Sequence, residues 1–298
     1  MEYVDKMPRK EVAWNGIKFQ APVSWEVAKI GTCYLLLEEE SQPVLEVKWG
    51  RVRGTFSHKT HLRRLTALHG KLPGKTVREC SLPSGWQKAL ESFEVAGFSW
   101  HGKSLGGLGV ILYCPLCKNA TLLQFYYRDS GKSKNIYLSV LESFQDHGQD
   151  DQTVWSIFDI RAVVPDKLKM IRYRLEPGQF ELVFKSKHKK VTLFRWSPAA
   201  ILLRNRDLVE FSKNMASSLR DNPQFVIEAD GKAVEWEVSP SISGWLRLFN
   251  RMQGKHPFKR LRVWHLEEKN RILGVKAEGK EPLDAPFFDR ICDTYEIL

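Results

Sequence analysis

The chain has 298 residues, 43% of them apolar and 27% charged, a balance that excludes disorder and leaves room for two cores of about 150 residues each. Its 46 Lys and Arg against 35 Asp and Glu give a net charge of +11, spread over both halves, so the surface would attract nucleic acid or acidic partners without dictating the fold. Five cysteines exclude a disulfide framework, no apolar run nears the ~20 residues of a membrane helix, and the charged opening MEYVDKMPRKEVAW lacks the apolar segment of a secretory signal. A cytoplasmic protein with no membrane partner is expected.

The first predicted strand takes Trp14, Ile17, Phe19 and Ala21, whose alternation leads into an extended turn from Pro22 to Trp25. A strand pair follows, Leu35–Leu37 and Val44–Trp49, around the turn EEESQP. Leu62, Leu65 and Leu68 recur at helical spacing and predict a helix over His58–Leu68. A meander of Phe93–Trp100, Leu108–Tyr113 and Leu122–Arg128 comes next, and a helix over Ile136–Asp146 closes the half. The polar run HGQDDQ then carries no periodicity.

The second half repeats this order. Ile160, Ala162 and Val164 alternate into Pro165 and Leu168, at the spacing of Pro22 and Trp25. Leu182–Phe184 and Val191–Trp196 flank the turn KSKHKK, and a helix is predicted over Asp207–Leu219. Strands follow at Phe225–Glu228, Val234–Val238, Leu261–Leu266 and Ile272–Ala277, and a helix over Pro286–Tyr295 ends the chain.

The repetition reaches individual residues. The segment Gly31–Trp49 aligns without a gap on Gly178–Trp196, sharing Gly31/Gly178, Leu35/Leu182, Val44/Val191 and Trp49/Trp196. Self-similarity at a fixed offset marks a repeated module. The expectation is an α+β protein made by internal duplication, each half a mostly antiparallel sheet flanked by helices. The domains are 1–147 and 153–298, joined by a linker over 148–152.

This layout resembles the PsbP-like α/β sandwich, shared by bacterial DcrB-type proteins. The opening strand with its Pro22-x-x-Trp25 turn, the paired strand ending in Trp49, the mid-domain helix, the meander and the closing helix carry the resemblance. It implies a binding or assembly role, because members of that fold mostly dock onto other proteins. No functional residue carries over from it.

Chemistry-bearing motifs are sparse. Cys114-Pro115-Leu116-Cys117 has the spacing of a zinc knuckle, and a structural zinc takes four ligands, usually as two close pairs. Cys33, Cys80, His101 and His147 are the other candidates, none of them in a second close pair, and the second half carries Glu267-Glu268-Lys269-Asn270 at the corresponding turn. Cys114 and Cys117 are therefore expected to form a reduced turn without metal. The run from Gly70 to Thr76 is one residue short of a phosphate loop, Leu105–Gly109 lacks the strand-to-helix context of a dinucleotide site, and both read as turns. His58 and His61 fall on the first helix beside Lys59, Arg63 and Arg64, as part of a solvated basic face.

No catalytic constellation or cofactor fingerprint stands out. The expected function is that of a non-enzymatic interaction or assembly factor, without cofactor, binding a protein partner; its oligomeric state stays open. The expected contact surface is Trp245–Arg262, read as an insertion, with Trp245, Arg247, Phe249, Arg251, Lys255, Lys259, Arg260 and Arg262 interleaving cations and aromatics. The alternative is nucleic-acid binding through Arg51, Arg53, Lys59, Arg63 and Arg64 and through Lys185, Lys187, Lys189 and Lys190.

Overall fold

A computed structural model describes residues 7–70, 76–102, 105–127, 133–148, 151–216, 224–227, 232–239 and 256–298. The chain forms two compact units. The first holds Met1–Gln149 and Val154–Phe158; the second holds Asp150–Thr153 and Asp159–Leu298.

The first unit opens with a hairpin, β1 (Arg9–Trp14) and β2 (Ile17–Pro22), turned by Asn15 and Gly16 at φ 45° and 96°. Asn-Gly supplies the two left-handed residues that a tight hairpin turn requires. The alternation across Trp14–Ala21 is thus that of two strands, not the predicted one. Ser156, in the segment that returns to this unit, pairs with Ala13 of β1 and donates from its hydroxyl to the Glu11 carbonyl (3.1 Å).

A seven-stranded sheet follows, built from β3 (Glu26–Gly31), β4 (Tyr34–Glu39), β5 (Gln42–Arg51), β6 (Thr76–Glu79), β7 (Glu94–His101), β8 (Gly106–Tyr113) and β9 (Asn119–Tyr126). Its order is β3-β4-β5-β9-β8-β7-β6 and its pairings are antiparallel. Helix α1 (His58–Gly70) lies between β5 and β6, α2 (Ser84–Ala89) between β6 and β7, and α3 (Ser133–Glu142) after β9. Side chains alternate across a strand, so β9 serves both faces. Leu122 and Tyr126 pack with Leu62 and Leu65 of α1, Phe98, Trp100 and Ile111. Phe125 instead stacks on Tyr137 of α3 (4.6 Å) and meets Trp86 of α2 edge-on (5.3 Å).

The glycines of the Leu105–Gly109 run are strand residues, not the predicted turn. Gly107 stands opposite Trp100 and Gly109 opposite Phe98. A Cβ on Gly109 would lie 2.2 Å from Phe98 Cζ, and one on Gly107 would lie 2.6 Å from Trp100 Nε1. Glycine is used here to seat two rings across a strand pair.

In the second unit β11 (Ile160–Pro165), which follows β10 (Gln152–Ile157), pairs with the short β19 (Glu296–Ile297). The large sheet comprises β12 (Lys169–Glu176), β13 (Gln179–Lys185), β14 (Lys189–Trp196), β15 (Gln224–Ile227), β16 (Ala233–Val238), β17 (Phe258–Leu266) and β18 (Arg271–Gly279). Its order, β12-β13-β14-β18-β17-β16-β15, matches that of the first unit strand for strand. Helices α4 (Ala199–Leu202) and α5 (Leu208–Ala216) follow β14, and α6 (Ala285–Asp293) follows β18. Trp196, Leu208, Phe211, Trp236, Val263 and Ile272 are part of the core beneath α5.

Local details repeat as well. Trp25 N donates to the Pro22 carbonyl (3.0 Å) and Leu168 N to the Pro165 carbonyl (2.9 Å). The aligned glycines diverge, because Gly178 sits in a turn at φ 88° whereas Gly31 ends β3. The β4–β5 pair has a bulge between Leu37 and Glu38, while β13 and β14 pair in regular register. No helix among the described residues is long and apolar enough to cross a membrane.

Candidate functional site

In the first unit a cleft of about 540 Å³ opens between α1 and the ends of β5 and β9. Ser57 caps α1, its hydroxyl accepting from Thr60 N (3.3 Å). From the first two turns of α1 Thr60, His61 and Arg64 face the cleft, and β5 and its continuation supply Lys48, Arg51 and Arg53. The apolar floor is Leu65, Ile111 and Leu122, and no Asp or Glu lines the site.

Lys48 is ion-paired with Glu46 (2.8 Å), whereas exposed Arg51, Arg53 and Arg64 make no ion pair among the described residues. His61 is fixed by its Nδ1, which donates to the Ser57 carbonyl (3.0 Å), and by Phe56, 4.8 Å from its ring. Trp49 is 8% exposed, and its indole N–H donates to the Asn15 carbonyl (3.1 Å). Thr121, paired with Trp49, lies with it on the sheet face away from α1, and its hydroxyl is buried there without a hydrogen-bond partner. At the corresponding strand end of the second unit, Trp196 stacks on Phe194 (5.1 Å) and meets Phe211 of α5 edge-on (5.2 Å).

The cleft therefore gathers Arg51, Arg53 and Arg64 from the first basic cluster and leaves Lys59 and Arg63 on the outer side of α1. His58 serves structure, contacting the Glu94 carbonyl (3.1 Å) and the Phe56 ring. Of the second cluster, Lys190 pairs with Glu278 (2.8 Å) and Lys189 lies over the Phe287 ring (3.9 Å), while Lys185 and Lys187 are exposed.

Trp245, Arg247, Phe249, Arg251 and Lys255 lie outside the described residues. Lys259, Arg260 and Arg262 belong to β17, which occupies the place of β8 in the shared strand order. That end of the stretch is scaffold, not insertion. Arg260 is ion-paired with Glu235 and with Asp289 (3.2 Å) and lies over the Phe288 ring (4.5 Å), so its charge is already spent inside the unit.

The Cys114–Cys117 turn abuts the cleft: Val52 N donates to the Lys118 carbonyl (2.8 Å), and Arg51 pairs with Asn119. Lys118 N donates to the Cys114 carbonyl (3.0 Å), Cys114 N to the Asn119 carbonyl (2.9 Å), and Lys118 takes φ 62°. Opposite the turn stand Asp146 and His147. Helix α3 ends at Glu142, short of the predicted Asp146, and Lys18 and Gln145 exchange two backbone hydrogen bonds of 2.8 Å. These hold the segment against β2 with Asp146 only 2% exposed.

The Cys117 thiol donates to Asp146 Oδ2 (3.1 Å), His147 Nδ1 lies 2.6 Å from Asp146 Oδ1, and Cys114 Sγ lies 3.9 Å from His147 Nδ1. Burial, followed by the bond to Asp146, pushes the Cys117 thiol up to about 12. The premise that no second ligand pair approaches these cysteines is overturned. Asp146, counted as helix in the sequence, went unseen; its signal was the adjacent carboxylate and imidazole of Asp146-His147.

Neither a protein-family model nor a curated protein matches the chain. Among solved structures the chain is similar to the Saccharomyces cerevisiae Ran-binding protein Mog1p, at 8% identity over 47% of this chain and 96% of that one, with a TM-score of 0.31. It is also similar to MucB in complex with MucA(peri), at 7% identity over 94% of this chain and 82% of that one, with a TM-score of 0.20. At such scores neither likeness bears on function.

Proposed function

We propose that this is a non-enzymatic binding protein whose first unit takes an acidic, partly apolar polypeptide segment of a protein partner into the cleft beside α1. The observation that carries the reading is the convergence of Arg51, Arg53, His61 and Arg64 above an apolar floor with no carboxylate in the lining. Cations at the rim would receive Glu or Asp, and Leu65, Ile111 and Leu122 would receive apolar side chains between them. Nucleic acid suits the rim but not the floor: single-stranded binding draws much of its strength from bases stacked on aromatic rings, and Trp49, the aromatic of the lining, is only 8% exposed.

The test is fluorescence polarisation with a labelled peptide alternating Glu and Leu, against a single-stranded oligonucleotide of equal charge. The peptide is expected to bind more tightly, with affinity falling as salt rises. The double variant Arg51→Glu/Arg64→Glu is expected to weaken it by ~30-fold or more, since each reversal removes an attraction and adds a repulsion of about 1 kcal/mol. Preferential binding of the oligonucleotide would make nucleic acid the ligand, and an unaltered affinity in the variant would move the site elsewhere.

The two units are further proposed to be products of internal duplication of a PsbP-like module. The matching strand order and the repeated Pro22 and Pro165 turns support this. The five cysteines, all free, support a reducing, cytoplasmic setting.

A further inference from the structure

We propose that Cys114, Cys117, Asp146 and His147 form a zinc site that ties the β8–β9 turn to the segment after α3. The ligand atoms of these residues all lie within 4.8 Å of one another. A tetrahedral zinc with bonds of about 2.0–2.3 Å sets its ligand atoms roughly 3.3–3.8 Å apart. The separations of 3.1 Å from Cys117 to Asp146, 2.6 Å from Asp146 to His147 and 3.9 Å from Cys114 to His147 reach that range through side-chain rotations of less than about 1 Å. Two thiolates, a carboxylate and an imidazole complete the four positions of a closed structural site, and the thiolates favour zinc over the oxygen-seeking magnesium and calcium. Binding would release the two thiol protons to water.

The surroundings are built for such an ion. Cys114 and Asp146 are buried while the His147 side chain is 46% exposed, so the site has floor and entrance. Asn119 Nδ2 donates to the Asp146 carbonyl (3.3 Å), an outer contact of the kind that orients a ligand. Lys118, in the left-handed region, bends the chain directly after the second cysteine.

The second unit holds the corresponding turn by other means. Asn270, at φ 52°, accepts from Ala199 N through its backbone carbonyl (3.1 Å) and from Ala200 N through its side chain (2.8 Å). Arg271 beside it pairs with Asp159 (3.0 Å). In both units the turn between these two strands is anchored, in the second by hydrogen bonds and an ion pair, in the first by the Cys/Asp/His set. A redox role for the cysteines fits less well, because the pair sits on a hairpin turn and not at a helix N-terminus.

The experiment uses the full chain, stripped with a chelator under reducing conditions and titrated with Co²⁺. One equivalent is expected to produce a thiolate-to-cobalt charge-transfer band and the ligand-field bands of a tetrahedral ion, both abolished by one equivalent of Zn²⁺. Cys114→Ser/Cys117→Ser should remove the charge-transfer band, and Asp146→Asn or His147→Ala should weaken cobalt binding by at least ~10-fold.

A second measurement needs no variant. With Zn²⁺ bound, iodoacetamide should spare Cys114 and Cys117 while modifying Cys33 and Cys80 as in the metal-free chain. A sulfur-free octahedral spectrum, a charge-transfer band that survives loss of both cysteines, or alkylation of Cys117 unaffected by zinc would each overturn the proposal.

Discussion

Trp49 and Trp196 occupy aligned positions and are equally buried at 8% exposure, yet they are held by different interactions, and substitution separates the two. Trp49 donates its indole N–H to the Asn15 carbonyl at 3.1 Å, tying β5 to the turn of the opening hairpin. Trp196 is held by ring contacts, stacked with Phe194 at an interplanar angle of 9° and edge-on to Phe211 at 85°. Replacement by Ala removes a buried aromatic in either case and should cost ~3–5 kcal/mol. At about 2–4 °C per kcal/mol for units of this size, each Ala variant should melt roughly 10 °C lower. Replacement by Phe keeps most of the apolar surface in both. At position 49 it also removes a hydrogen bond worth about 1 kcal/mol, so Trp49→Phe should melt ~2–4 °C below Trp196→Phe. Circular dichroism melts of the four variants make the comparison. A Trp49→Phe variant as stable as Trp196→Phe would show that the bond to Asn15 contributes nothing. An Ala variant melting within about 2 °C of the parent would refute the burial argument itself.

Gly109→Val should prevent the first unit from folding, because a Cβ there lies 2.2 Å from Phe98 Cζ; Phe98→Ala in the same chain should restore part of the soluble yield, and an unimpaired single variant would contradict the packing described. Glu278 bears on pH dependence. Burial opposes its ionisation, but the hydrogen bond from Lys190 and the charges of Lys276 and Lys259 hold its carboxyl below the ordinary 4.5. A group depressed in the folded state contributes stability that is complete above its unfolded value and is lost as pH falls through the folded value. The parent should therefore lose thermal stability below pH 4.5 more steeply than Glu278→Gln, and parallel melting profiles would show the ion pair to be inert.

Strands and helices with one buried face were legible in the sequence, because period-two and helical spacings report such faces directly. That is why the β4–β5 and β13–β14 pairs, the meanders and the long helices fall where their patterns place them. The outer strands β3 and β12 went unread: most of their side chains are at least partly exposed, and little alternation survives. The hairpin at Asn15-Gly16 was hidden by an alternation that ran through its turn, although Asn-Gly is itself a hairpin signal.

The candidate site was legible only in part. Arg51, Arg53 and Arg64 were visible as a basic cluster, but their convergence depends on how α1 crosses the sheet. Asp146 and His147 reach the cysteines only because Lys18 and Gln145 bond across more than a hundred residues of chain, a pairing that no local pattern encodes. Arg260 and Arg262 looked available in a basic stretch and proved to be strand residues, with Arg260 satisfied by Glu235 and Asp289.

The allocation of Val154–Phe158 to the first unit governs how the chain can be divided. A fragment ending at residue 147 would forfeit Trp155, which is 3% exposed and meets Trp14 edge-on at 5.3 Å. It would leave one side of β1 bare. A fragment beginning at residue 153 would carry the missing strand away from its partner β1. Each half would then present an unpaired edge complementary to the other, and unpaired edges recruit strands from neighbouring molecules. Made separately, the halves should aggregate or exchange strands; mixed, they should reassemble.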